Sequence, residues 1–314
     1  VDPKVGKMLI FGCVMQCLPA VLTIAAGMAY KDPWVLPIDR KQAADEARRR
    51  FAGESFSDHV ALLQAYEGWT MAGQGRRDYC WRNYLSGNTL EMMSDMRRQF
   101  AELLQTAGFI DDKCPRPLEA HGQHARNHTL VKAVLAAGMF PNVATTKPGK
   151  REAKWHTIED GKVKPHPSSV NSFVSGFPAR WIVYNQKVKS SDIFIRDSTC
   201  ISDLALLLFG GQLAINQDGS ISMLKGYATF AANPDVQRLV VGLRQQLDGI
   251  LQNKIEDPTT DLDRSGAALV TAVVKLLSSE DHDMQYRGRR DDRYEEEEDG
   301  DNRGGFAAGA GYNR

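Results

Sequence analysis

Arg180-Trp-Ile-Val-Tyr-Asn-Gln-Lys-Val-Lys-Ser-Ser-Asp-Ile-Phe-Ile-Arg196 is the stretch on which the fold turns. Its density of β-branched and aromatic residues reads as strands over 179–190 and 192–196. Further β-rich runs lie at 152–158 and 221–230, with turn signals at Asp160-Gly161 and Asp218-Gly219. Helical patterns occupy 202–209, 234–251 and, more apolar, 266–277. Five or so short strands with one helix between them predict a small closed barrel such as an OB-fold.

Upstream, the pattern is helical throughout. Met8 to Tyr30 contains no charged side chain, a length that on paper crosses a bilayer. Pro19 divides it into pieces too short to cross as one straight helix, so two buried helices are expected, the second opening on Pro19. Prolines 33 and 37 then enforce an extended connector. Asp39 is placed to cap a helix ending near Phe51 and Gly53, and Ser57 to cap the next. In that second helix Leu62, Tyr66 and Trp69 share one face. Residues 70–80 read as a polar loop, and Asn88 with Glu91 as a capping box for a long helix closed by Gly108.

The expected fold is therefore α+β: helices over 1–110, a polar linker over 111–128, a barrel domain with C-terminal helices over 129–279, and a disordered tail over 280–314.

Charge sharpens this division. The 314 residues carry 39 basic and 39 acidic side chains, a formal net charge of zero. Residues 113–200 alone hold 14 basic against 6 acidic, whereas the tail holds 6 against 11. A basic middle beside an acidic end points to a polyanionic partner, with the tail competing for the same surface. The Arg-Gly and aromatic content of the tail leans towards a nuclear location.

A self-contained enzyme is disfavoured. The chain has no G-x-x-x-x-G-K-[ST] phosphate loop, no G-x-G-x-x-G after a strand, no G-x-S-x-G and no H-E-x-x-H. Cys114, His121, His124 and His128 match no familiar zinc spacing, so neither metal nor cofactor is assigned to this chain. The five cysteines are too scattered for a disulfide framework. Binding chemistry is better represented. Arg180, Lys187, Lys189 and Arg196 interleave with Trp181 and Tyr184, a combination that neutralises phosphates and stacks bases if the aromatics are exposed, or that forms core if they are not. His166-Pro-Ser-Ser169 offers phosphate contacts through Ser168 or serves as an ordinary turn.

Particular segments resemble a known family. Asp2-Pro-Lys-Val-Gly-Lys-Met-Leu9, Leu22-Thr-Ile-Ala-Ala26, Ser57-Asp-His-Val-Ala-Leu-Leu63, Cys80-Trp-Arg-Asn-Tyr-Leu85 and Met96-Arg-Arg-Gln-Phe100 are similar to the helicase-associated region of DEAH/RNA helicase A-type DExH-box RNA helicases. Val131-Lys-Ala-Val-Leu-Ala-Ala-Gly-Met-Phe-Pro-Asn-Val143, His166-Pro-Ser-Ser-Val170 and Ile195-Arg-Asp-Ser-Thr199 resemble the same family's OB-fold. The resemblance implies a ratchet-like helical domain, preceded by the end of a winged helix, and an OB-fold that guides single-stranded or structured RNA, or DNA. It further implies a parent chain whose RecA-like domains bind ATP and magnesium and drive unwinding. Arg97 falls where the family has an arginine on the long ratchet helix; Ser168, Lys187, Lys189 and Arg196 fall in OB segments near the strand. An alternative function is a protein-interaction module that docks helicase activators or basic proteins. No membrane partner is expected.

Overall fold

The computed structural model describes residues 2–111, 117–147, 154–174, 176–262 and 264–280. The expected tail beyond 280 lies outside them, as does Cys114.

Helices α1 (Pro3–Val14) and α2 (Leu18–Ala29) come from the uncharged opening stretch. The Asp2 carboxylate accepts from Lys4 N at 2.8 Å and caps α1, and α2 begins with Pro19 in its first turn. Between them Gln16 takes a φ of 54°, which turns the chain back on itself. Met8, Leu18, Leu22 and Ile24 are fully buried, so this stretch is protein core. Among the described residues no helix is long and apolar enough to cross a membrane. The interior is packed tightly enough to select glycine: a Cβ on Gly27 would sit 2.3 Å from Leu62 Cδ2.

Four more helices complete this half: α3 (Lys41–Ala52), α4 (Asp58–Met71), α5 (Arg76–Arg82) and α6 (Gly87–Thr106). Ser57 caps α4 through Val60 N at 3.1 Å, and Leu62, Tyr66 and Trp69 are buried together. Three local expectations are corrected. Asp39 lies inside a 3-10 turn before α3 and makes no side-chain cap. The loop expected over 70–80 contains most of α5, because Tyr79 and Cys80 pack inward and the Tyr79 hydroxyl donates to Ala65 O at 3.2 Å. The cap of α6 is Ser86, accepting from Thr89 N at 3.3 Å, in place of Asn88.

A short helix, α7 (Pro117–Ala120), leads into α8 (His128–Met139). The barrel follows: β1 (Val143–Thr145), β2 (Trp155–Thr157), β3 (Gly161–Pro165), β4 (Trp181–Lys189) and β5 (Ile193–Ile201) close in the order β1-β2-β3-β5-β4. All pairings are antiparallel except β3 with β5. Strands β1 and β3 were not read in the sequence; three and five residues carry too little alternation.

Period-two alternation settles what the aromatics of β4 do. Ile182 and Tyr184 point into the barrel with Trp155, Phe177 and Ile195. Trp181 and Val183 point outward into the core shared with the helices. Trp181 and Tyr184 are each 2% exposed, so neither is a stacking platform. The Trp181 indole N–H is satisfied by the Asp203 carboxylate at 2.7 Å.

Helix α9 (Asp203–Phe209), a sheet of β6 (Ala214–Ile215), β7 (Ile221–Met223) and β8 (Ala228–Phe230), helix α10 (Pro234–Glu256) and helix α11 (264–280) complete the described residues. The single run read over 221–230 is two strands, because Leu224, Lys225 and Gly226 all have positive φ and reverse the chain. One hydrophobic core runs from α1 and α2 through α8 and α9 to α10 and α11, and the barrel interior is separate from it.

Candidate nucleic-acid interface

The helical half meets the barrel at the start of α4. Ser57-Asp-His59 enters the helix there, and each side chain crosses to the barrel. Asp58 is 3% exposed, and a buried carboxylate persists only when donors surround it. Its Oδ2 accepts from Ser169 Oγ at 2.6 Å, Ser198 N at 2.9 Å and Ser198 Oγ at 3.2 Å. Its Oδ1 accepts from Val170 N at 2.8 Å and from Arg48 Nη2 at 3.5 Å. Thr199 Oγ1 lies 2.7 Å from both Ser57 Oγ and His59 Nδ1. Asn171 donates to Ser198 O, Ser198 Oγ and Phe56 O, closing the network. Burial pushes the His59 pKa below the ordinary imidazole value, so the ring is held neutral.

Beside this joint opens a cleft of about 500 Å³. Its walls are the connector after α2, the inner faces of α3 and α4, the His166–Ser169 turn and the middle of β4 and β5. Among its charged residues Lys31, Arg48 and Arg196 face Asp32, Asp45, Asp58 and Asp197. Arg48 is 7% exposed; it reaches Asp32 at 3.7 Å and lies 5.2 Å over the Trp34 ring. Asp197 has a φ of 52°, and the β4–β5 register resumes on either side of it, at Tyr184↔Ser198 and Gln186↔Arg196. Such backbone strain is held only where the surroundings impose it.

The residues expected from sequence divide into two groups. Ser168 and Arg196 line the cleft. Arg196 has no ion pair among the described residues. Lys189 ends β4, exposed to solvent. Lys187, by contrast, donates to Glu159 at 2.8 Å and to Asp160. Burial works against its charge, but the hydrogen bonds to Asp160 and Glu159 outweigh it, and its pKa is raised. Arg97 lies on α6 and is not among the cleft-lining residues; it donates to Tyr66 Oη at 3.3 Å and Pro19 O at 3.2 Å, 5.0 Å from the Tyr66 ring centroid. Arg180 is likewise held, by Asp203 at 3.2 Å and Thr229 O at 3.0 Å. The His166-Pro-Ser-Ser169 segment is a turn: His166 Nδ1 is 2.7 Å from Ser168 Oγ, and Ser169 N donates to His166 O at 2.8 Å.

Sequence reasoning missed Arg48 and His59. The signal for His59 was available, since it falls three residues before Leu62 on the buried stripe of α4. Arg48 offered none, being one of three consecutive arginines.

A helical domain is locked to a five-stranded barrel of OB-fold topology, with an open cleft at the joint. The comparisons with known proteins agree. Residues 2–62 match the helicase associated domain (HA2), ratchet-like; residues 131–213 match the oligonucleotide/oligosaccharide-binding (OB)-fold; residues 220–279 match the C-terminal domain in RNA helicases. The chain is 48% identical over 285 residues to the DExH-box ATP-dependent RNA helicase DExH1 of Arabidopsis thaliana, covering 90% of this chain and 28% of that protein. It is 38% identical to the ATP-dependent DNA/RNA helicase DHX36 of Mus musculus, covering 90% and 29%. With the putative ATP-dependent RNA helicase DHX57 of Homo sapiens it shares 37% identity over 89% of this chain and 23% of that one. The chain matches the ratchet-like, OB-fold and C-terminal domain models and is similar over about nine tenths of its length to the C-terminal part of DExH-box RNA helicases. It spans between a quarter and a third of the length of the Arabidopsis and mouse relatives.

Proposed function

We propose that this region guides single-stranded RNA over the barrel edge and the cleft, in support of ATP-driven unwinding by RecA-like domains of a longer parent chain. The observation that carries this reading is the contrast among the cations. Arg196 in the cleft wall and Lys189 at the end of β4 stand without ion pairs among the described residues, whereas Arg97, Arg180 and Lys187 are engaged within the protein. Unpaired cations neutralise phosphates without first breaking an internal bridge. DNA is a second polyanion that the same groups would accept, and a relative's name includes it.

ATP and magnesium belong in this reading to the parent chain. The 314 residues contain no phosphate loop, and among the described residues no group of three His, Cys, Asp or Glu side chains is placed to hold a metal ion. The Arg-Gly tail, outside the described residues, is the ground for favouring the nucleus over the cytoplasm.

The test is binding of a fluorescent oligouridylate by this chain across a salt series. Affinity falling steeply with salt supports the reading, because each neutralised phosphate releases counterion. No measurable affinity at low salt refutes it.

A further inference from the structure

The outer face of the β2–β3 hairpin gathers positive charge. Trp155 pairs with Val163 and both point into the barrel, whereas His156 pairs with Lys162 and both are exposed. Lys154 precedes Trp155 and Lys164 follows Val163, so these exposed lysines share one end of the same outer face. Lys147, two residues past the Thr145–His156 pair of β1 and β2, is exposed at that end too. Like charges set across an antiparallel pair repel. Lys164 is answered by Asp192 at 2.6 Å, but Lys147, Lys154 and Lys162 have no ion pair among the described residues. The acids of the hairpin turn, Glu159 and Asp160, are engaged by Lys187. An anion laid across this face relieves the repulsion without first breaking a bridge.

The chain carries such an anion. Asp291-Asp-Arg-Tyr-Glu-Glu-Glu-Glu-Asp299 has seven acidic side chains and one basic. It lies beyond the described residues and enters here by its sequence alone. Helix α11 ends close to the lysine face. The Glu280 carboxylate accepts from Leu204 N at 3.2 Å, and the adjacent Asp203 holds the Trp181 indole at 2.7 Å and Arg180 at 3.2 Å. Arg180 O in turn accepts from Thr146 N at 2.8 Å, and Lys147 is the next residue. Residues 281–290 allow a reach of up to about 35 Å, more than this short walk requires.

We propose that the acidic run 291–299 docks on the outer face of the β2–β3 hairpin, across Lys147, Lys154 and Lys162. Strand β3 pairs with β5, which carries Arg196 and pairs with the Lys189 end of β4, so the docked run sets negative charge on the sheet that holds both cations. It is a competitor for RNA carried in the same chain. The docking stands apart from the RNA-guiding reading; the competition rests on it.

The experiment is zero-length carbodiimide cross-linking of the full 314-residue chain, which condenses a lysine amine with a touching carboxylate and is read by mass spectrometry. An equal mixture of unlabelled and nitrogen-15-labelled chains separates contacts within a chain from contacts between chains. Cross-links from the 291–299 run are expected to concentrate on Lys147, Lys154 and Lys162, within one isotope, and to vanish at about 1 M salt. Their absence, or an even spread that includes other exposed lysines such as Lys31 and Lys41, overturns the docking. Cross-links that join the two isotopes overturn docking within one chain. Competition is read with the fluorescent oligouridylate at low salt. The combined Glu295→Gln, Glu296→Gln, Glu297→Gln and Glu298→Gln variant should bind about five-fold more tightly, and this gain should disappear when Lys154→Gln and Lys162→Gln are added. A gain that survives the lysine changes overturns competition at this face. If no chain binds RNA, the RNA-guiding reading and the competition fall together, and the cross-links alone decide the docking.

Discussion

The Asp58 carboxylate and the Ser169 hydroxyl, 111 positions apart in the chain, are 2.6 Å apart in the fold. That bond joins the first turn of α4 to the turn before β4, and Ser198, Val170 and Arg48 converge on the same carboxylate. Removing the carboxylate leaves several buried donors without an acceptor at once. Asp58→Ala is therefore expected to cost about 3–5 kcal/mol, the range for breaking a buried charged network. Asp58→Asn should cost less, because its carbonyl still accepts. Urea unfolding of the two variants checks the order; equal and small losses would show that the joint is not cemented there.

His59 gives the joint a pH dependence. Its folded pKa is lowered, so below the ordinary value near 6.5 the unfolded chain binds a proton that the folded chain does not. Stability contributed by keeping this ring neutral is complete above that value and declines as pH falls through it, by up to about 1.4 kcal/mol per pH unit. His166, His121 and His128 are lowered as well and act in the same direction. The contribution of His59 is isolated by comparison: His59→Gln should lose stability less steeply between neutrality and pH 5. Parallel curves for the two proteins would count against it.

The helices were legible because their apolar stripes are long. Leu62, Tyr66 and Trp69 repeat over about two turns, and Ser57 announces where their helix begins. The barrel was legible as a class from β4 and β5, nine residues each, while β1 and β3 were too short to show a period. The cleft was not legible, because it is made by residues brought together from the connector, α3, α4 and the barrel. The same limit applies to Lys187 and Arg97. Sequence marks them as cations; only the fold shows Asp160 and Pro19 already holding them.

Arg97 is a test of that difference. Its guanidinium ties α6 to the start of α2 and lies against Tyr66, which makes it a brace within the helical domain. Arg97→Ala should destabilise the chain by about 1–2 kcal/mol, the worth of a charged hydrogen bond with a cation–π contact. Its RNA affinity at a temperature where it stays folded should be unchanged. A variant of normal stability and weakened RNA binding would return Arg97 to the interface.

The cations at the barrel edge make the complementary prediction. Lys189→Ala and Arg196→Ala should each lower the slope of log K against log salt by about one, uniformly across oligonucleotide sequences, with stability nearly unchanged. Lys187→Ala removes a charge that Glu159 and Asp160 already balance, and it also frees those two carboxylates. Two uncovered negative charges then stand near the strand, so its affinity should fall at low salt while its slope falls by less than one. Slope and intercept thus separate a cation that touches phosphate from one that screens acidic neighbours. Equal slope changes for Lys187 and Lys189 would show that RNA breaks the Lys187 bridges when it binds.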